Sequence, residues 1–179
     1  MGRRQWWRSQ RLSDNAIYAA DDLDLKILED LAQDARATFK EIAIKNKIDQ
    51  RTIAKRFEQM VNAGVIRRVT VDTDWSRLGL TALAYIGTVT SVGEIERRKF
   101  LDYIRTEPRI SKCHTTIGAH EYLLEVTDRD VPTLRADICE HLEPITAELS
   151  TSLITETIKN TDYTGLLKYL QNMLPKQSE

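Results

Sequence analysis

The stretch "KIDQRTIAKRFEQMVNAGVIRR", residues 47–68, decides how the rest of the chain is read. Asp49 is a strong helix N-cap, because its carboxylate accepts from the free N–H groups of the first turn. Gly64 suits a left-handed stop at the other end. Projected at about 100° per residue, Ile53, Phe57, Met60 and Val61 fall on one stripe. Lys55 lies almost opposite, with Arg51, Thr52, Gln59 and Asn62 around it. The stripe packs inward, so the Arg51–Lys55 face points out. "VIRRVTVD", 65–72, alternates and is β-branched, which predicts a strand.

Upstream, "DDLDLKILEDLAQDA" (21–35) repeats Leu23, Ile27, Leu28, Leu31 and Ala35 at helical spacing. Asp21 and Asp22 favour its positive N-terminal end. In "TFKEIAIKN" (38–46), Thr38 and Glu41 have the T-x-x-E spacing of a capping box. Lys47 stands near the turn before the third helix, and Asn46 is expected to take a left-handed conformation there. Three short helices and a strand make a helix-turn-helix unit with a wing, over 21–72. Residues 1–20 form a basic arm with Arg3, Arg4, Arg8 and Arg11, and with Trp6 and Trp7.

The charge distribution supports a division of labour. The 179 residues carry a formal net charge of −1. Residues 1–70 hold 14 Lys and Arg against 10 Asp and Glu, whereas 71–179 hold 12 against 17. A basic module joined to an acidic one points to a polyanion meeting only the first. No window approaches the ~18 apolar residues of a membrane span, and the basic N-terminus lacks the apolar core of a signal peptide. The chain is therefore expected to be cytoplasmic, without a membrane partner. Cys113 and Cys139 read as reduced thiols, and the lack of companions at zinc spacing around Cys113-His114 argues against a metal. No cofactor is expected.

After residue 72 the pattern changes. "DTDWSRLG" is a connector, with 73–79 as the linker, and Trp75 is expected to pack at the domain junction. Strands are predicted at 80–90, 109–118, 119–127 and 145–160, the middle two joined by a tight turn. Helices are predicted at 94–107 and 131–144. The order β-α-β-β-α-β over 80–160 is a ferredoxin-like sandwich, so the fold class is α+β. Helices cover one sheet face, and dimerisation would cover the other. Residues 161–179 add an amphipathic extension around "YTGLLKYLQNML" (163–174), able to close that interface or join dimers.

Three of these stretches resemble the Lrp/AsnC, or feast/famine, transcriptional regulators. "LDLKILEDLAQDAR" is similar to their opening helix and "TIAKRFEQMVNAGVIRR" to their recognition helix and wing. "FLDYIRTEPRISKCHTTIGAHEYLLEV" is similar to the centre of their effector-binding (RAM) domain. The resemblance covers about residues 22–160. It implies an N-terminal domain that binds double-stranded DNA and a C-terminal domain that dimerises. It also implies further assembly into tetramers or octamers, and an amino acid or related small molecule bound near the hairpin turn. The turn departs from the family pattern: Ala119 and His120 stand where acidic and aromatic residues are expected, and Glu121 keeps a carboxylate.

A recognition helix enters the major groove by its N-terminal half. Arg51, Thr52 and Lys55 are then placed to reach base edges. Gln50 and Arg56 flank them as phosphate contacts, and Arg67 and Arg68 of the wing meet the backbone. The expected effector residues are Gly118, Ala119, His120 and Glu121, with Ser152 lining the same cleft by resemblance. The turn reads equally as a polar tip that makes subunit contacts only, and His120 offers a charge that changes near neutral pH. Two other roles remain open: a DNA-coating protein of low specificity, and a haem-pathway decarboxylase-like enzyme on the same plan. Against the enzyme stand the three histidines, His114, His120 and His141, which are not spaced to cluster, and the absence of a triad order or phosphate loop.

Overall fold

The computed structural model describes residues 17–90 and 93–173. The expectations for Arg3, Arg4, Trp6, Trp7, Arg8 and Arg11 lie outside them. Two compact units are formed, one from the residues up to Val71 together with those from Lys159 onward, the other from Asp72–Ile158.

The first unit is built on three helices: α1 (Asp22–Gln33), α2 (Phe39–Asn46) and α3 (Gln50–Asn62). Both α1 and α2 start in full capping boxes. In α2 the Thr38 N–H donates to Glu41 Oε2 at 2.7 Å while the Glu41 N–H donates to Thr38 Oγ1 at 3.2 Å. Ile27, Ile42, Ala43, Ile53 and Met60 form the core, with Phe39 and Phe57 in tilted contact at 5.1 Å beside it.

Two carboxylates of α1 are buried within this small head, Asp24 fully and Asp30 to 7% exposure. Each ties down another helix. Asp24 meets the Arg56 guanidinium of α3 at 3.3 Å and accepts from Tyr18 Oη at 3.1 Å, while Asp21 holds the same guanidinium at 2.6 Å. Asp30 pairs with Lys45 and accepts from Asn46 Nδ2 at 2.7 Å, which fixes the C-terminal end of α2.

The turn between α2 and α3 differs from expectation. Lys47, not Asn46, is left-handed, with φ 56° and ψ 41°. Asn46 stays helical because its amide donates both to Asp30 and to the Ile42 carbonyl. Gly64 does take the left-handed stop after α3, at φ 73°. The expected wing strand does not form, and residues 67–74 have no regular structure. Val69 and Val71 are exposed, and a lone extended segment without a neighbouring strand leaves its N–H and C=O groups to water. Trp75 starts a 3₁₀ turn (Trp75–Leu78) and is 53% exposed instead of packed.

The second unit is the four-stranded antiparallel sheet, in the order β2-β3-β1-β4. Its strands are β1 (Ala82–Thr90), β2 (Ile110–Thr115), β3 (Tyr122–Asp128) and β4 (Thr146–Leu153). Helix α4 (Glu94–Thr106) follows β1. The second crossover, α5, has α turns at Val131–Leu134 and Glu140–Leu142 around a π turn, Arg135–Cys139. Ala84, Ile86, Leu124 and Val126 meet Phe100, Leu134, Ile138 and Leu142 on the helix-covered face. Arg109 binds Glu107, Asp128 and Asp137, so one guanidinium joins β2, β3 and α5.

β4 is shorter than expected: it ends at Leu153 opposite Ala84, and the Ile154 N–H makes one more bond, to the Leu83 carbonyl at 2.9 Å. The β2–β3 connection is not a tight turn but a six-residue loop, closed by the Thr116 N–H on the Glu121 carbonyl at 2.9 Å. After β4 the chain returns to the first unit, where α6 (Tyr163–Met173) packs against α1 through Leu167.

Two stability measurements probe this arrangement. Replacing Lys47 by glycine relieves a left-handed non-glycine residue and raises unfolding free energy by about 0.5–1 kcal/mol in chemical denaturation. The reverse sign would mean that the lysine side chain stabilises the turn. Arg56→Ala leaves Asp24 buried without its cation. The loss is about 2 kcal/mol, below that for a fully buried pair because the guanidinium is one-third exposed.

Candidate nucleic-acid and ligand interfaces

Helix α3 presents its N-terminal half to solvent. The Asp49 carboxylate accepts from the Arg51 N–H at 2.8 Å and sets the direction of the first turn. Gln50, Arg51, Thr52 and Lys55 are exposed, while Ile53 between them is fully buried. Among the described residues no carboxylate pairs with Arg51 or Lys55. Arg67 and Arg68 are likewise exposed and outside the ion pairs, on irregular backbone instead of a strand.

Arg56 and Lys45 contrast with these. Arg56 belongs to the 47–68 stretch and Lys45 lies just before it, yet both are neutralised by α1. Arg56 was expected on the phosphate flank, but its guanidinium sits between Asp21 and Asp24. Burial raises the Asp21 carboxyl, but the Asp24 backbone N–H and the Arg56 charge outweigh it and hold the group below its ordinary value. Of the cations on α3 and the segment after it, Arg51, Lys55, Arg67 and Arg68 are the ones left for an outside polyanion. Phosphate contacts from such side chains fix position, and contacts to base edges carry sequence information.

The hairpin loop of the second unit is held down onto the sheet. The Glu121 N–H donates to the Thr88 carbonyl at 3.0 Å, and Glu121 Oε2 accepts from the Thr90 hydroxyl at 2.6 Å. That hydroxyl bond holds the Glu121 carboxyl below the ordinary range, with Arg97 of α4 nearby adding to the effect. The expected free carboxylate is thus already engaged.

His120 folds the other way, across the sheet face that carries no helices. Its ring covers Gly87 so closely that a Cβ there would lie 2.2 Å from the imidazole. Nε2 is 3.1 Å from Ser150 Oγ on β4, and Nδ1 is buried without a partner among the described residues. Ser152, expected beside the turn, lies opposite Tyr85, two pairs along from the Gly87–Ser150 pair. Ser150 takes its place because sheet register, not sequence spacing, sets which serine meets the loop. The signal that sequence offered was Gly87, a glycine in mid-strand, which marks close approach of another group. Gly118 and Ala119 form the exposed tip with Ile117. His114 stands on the edge strand opposite Leu123, in the same cross-strand row as Gly87 and Ser150. No group of three potential metal ligands occurs among the described residues.

Comparison with known proteins gives this geometry a context. Residues 21–67 match the family model described as winged helix-turn-helix DNA-binding, and residues 84–164 match the Lrp/AsnC ligand binding domain. The chain is 30% identical to the transcriptional regulator AzlB of Bacillus subtilis over 145 residues, covering 79% of this chain and 92% of that protein. It is 32% identical over 142 residues to the HTH-type regulator AldR of Mycolicibacterium smegmatis, covering 78% of this chain and 83% of that protein. The structure of Bacillus subtilis LrpC superposes with a TM-score of 0.73 at 26% identity, covering 80% of this chain and all of that one. A Neisseria meningitidis transcriptional regulator in complex with L-Met shares the fold, with a TM-score of 0.72 at 22% identity and coverage of 79% and 94%. With a DNA-binding head, a four-stranded ligand-binding unit and relatives that match both, the chain belongs to the Lrp/AsnC family of transcriptional regulators.

Proposed function

We propose that this regulator reads a specific DNA sequence through Arg51, Thr52 and Lys55 in the major groove. Gln50, Arg67 and Arg68 hold the phosphates. The observation that carries this reading is the separation of two kinds of cation across α2 and α3. Arg56 and Lys45 are consumed by buried aspartates, whereas Arg51 and Lys55 stand exposed with no acid beside them. Arg56 drops out of the contact set because moving it to a phosphate would strip Asp24 of its cation.

A single head binds weakly, so two heads related by a twofold would share one duplex, on half-sites about 10 bp apart or a multiple of that. The uncovered sheet face, with Leu83, Tyr85, Val89 and Leu123, is the surface for that pairing. An amino acid or similar small molecule fits the loop region through hydrogen bonds to its ammonium and carboxylate. Here it would compete with bonds the loop already makes, since Glu121 is taken by Thr90 and His120 by Ser150. The neighbouring regulator solved with L-Met supports this class of ligand by likeness of fold. Coupling between ligand and DNA then passes through assembly, which sets how many heads reach one duplex.

Binding measurements separate specific regulation from coating. A specific regulator prefers its operator over random DNA by about a thousandfold or more at physiological salt, and a ratio near one would favour the coating role. Arg51→Ala is expected to cost about 1–3 kcal/mol and to relax preference at one base position. Equal loss on every sequence would remove it from the base-reading set. Arg67→Ala is expected to weaken all DNA alike and to lower the salt slope by about one, and an unchanged slope would take Arg67 off the backbone.

A further inference from the structure

The turn between α2 and α3 carries a residue that its conformation does not favour. Lys47 is left-handed, at φ 56° and ψ 41°. Among the described residues it is the only non-glycine with a positive φ, and the other two such positions, Gly64 and Gly79, are glycines. A Cβ in this region crowds the backbone, so glycine is the residue the turn would favour. The turn is held by backbone bonds, from the Lys47 N–H to the Ile44 carbonyl at 3.3 Å and from the Ile48 N–H to the Ala43 carbonyl at 3.0 Å, and a glycine would keep both. The lysine side chain is exposed, and among the described residues its ammonium pairs with no carboxylate.

We propose that Lys47 is a DNA phosphate contact at the leading end of α3, held in a strained turn for its charge. This role rests on the major-groove reading of α3 and extends it to the turn. Position carries the choice of ligand. A recognition helix enters the groove by its N-terminal half, and Lys47 stands two residues before the N-cap, Asp49. Its Cα lies within about 11 Å of that of Gln50 whatever the shape of the turn, because three residues of chain reach no further. The rims of the groove are phosphate, so a side chain just ahead of the entering end meets backbone before it meets bases.

Charge gives a second reason. Asp49 is the only acid between residues 47 and 57. Its carboxylate caps α3 through the Arg51 N–H at 2.8 Å and is exposed. That sets a negative charge at the end of the helix that approaches the duplex, where it repels phosphate. Lys47 offsets it there. An ammonium suits the place, being a point charge on a flexible stem that finds a phosphate oxygen without a fixed fork geometry. Asn46, with the better left-handed propensity, is kept helical by Asp30, so the left-handed position falls to residue 47. Strain of this kind persists where the strained residue has a use that the fold alone does not supply.

The test sets stability against binding. Lys47→Gly and Lys47→Arg are made in the full chain. Each is melted, and each is titrated over a range of salt with a random duplex and with a duplex enriched from a random pool by the wild-type protein. The glycine variant is expected to melt a few degrees higher, because the turn relaxes. It is expected to bind both duplexes about eightfold more weakly at 0.1 M salt, with a salt slope lower by about one and an unchanged ratio between them. The arginine variant keeps both charge and strain, so it is expected to match the wild type in slope and in melting. An unchanged slope in the glycine variant, with wild-type binding intact, would overturn the phosphate contact and leave the reading of α3 standing. A loss confined to the enriched duplex would overturn it too, since Lys47 would then read bases. A glycine variant that melts lower would mean that the lysine holds the turn, and the proposal would fall on that ground. Wild-type protein that binds neither duplex at any salt would end this proposal and the major-groove reading together.

Discussion

Two buried carboxylates on α1 organise the DNA-binding head. A unit of this size buries little apolar surface, and Ile27, Ile42, Ile53 and Met60 are most of its fully covered core. Hydrophobic packing alone fixes the faces of three short helices but leaves their angles loosely set. Asp24 and Asp30 add direction. One binds the middle of α3 through Arg56, which Asp21 shares, and the other binds the end of α2 through Lys45 and Asn46. Buried charge of this kind contributes little net stability, but it penalises any arrangement that leaves the carboxylate alone. The outward pose of Arg51 and Lys55 follows from the inward pose of Arg56.

The loop between β2 and β3 obeys a similar constraint by different means. It is stitched to two strands: by Glu121 to β1 on the helix-covered face, and by His120 over Gly87 of β1 to Ser150 of β4 on the other. A loop with these bonds is not a free polar tip. Its conformation is coupled to the spacing of β1 and β4 at the centre of the sheet. Among the described residues, Nδ1 of the imidazole is buried without a partner.

Most of the architecture was legible in sequence because it rests on local signals. Thr38 with Glu41, Asp49 and Gly64 mark the helix ends where the structure has them, and the β-α-β-β-α-β order follows from hydrophobic period. The misreadings have tertiary causes. Val65–Val71 has strand composition but no strand to pair with. Asn46 has the better left-handed propensity, yet a bond to Asp30, 16 residues away, keeps it helical. Arg56 looks like its basic neighbours until Asp24 is seen beneath it. Ser150 and Ser152 are indistinguishable by type, and only the register against Gly87 selects between them.

The return of α6 to the head changes what the sheet unit is in covalent terms. Residues 72–158 are an insertion within the head, with one lead entering before β1 and another leaving after β4. Those strands are neighbours and antiparallel, so both leads emerge at the same end of the sheet, where Ala84 faces Leu153. Shortening the chain after residue 158 would not trim a tail, but would unroof the α1 surface that Leu167 covers.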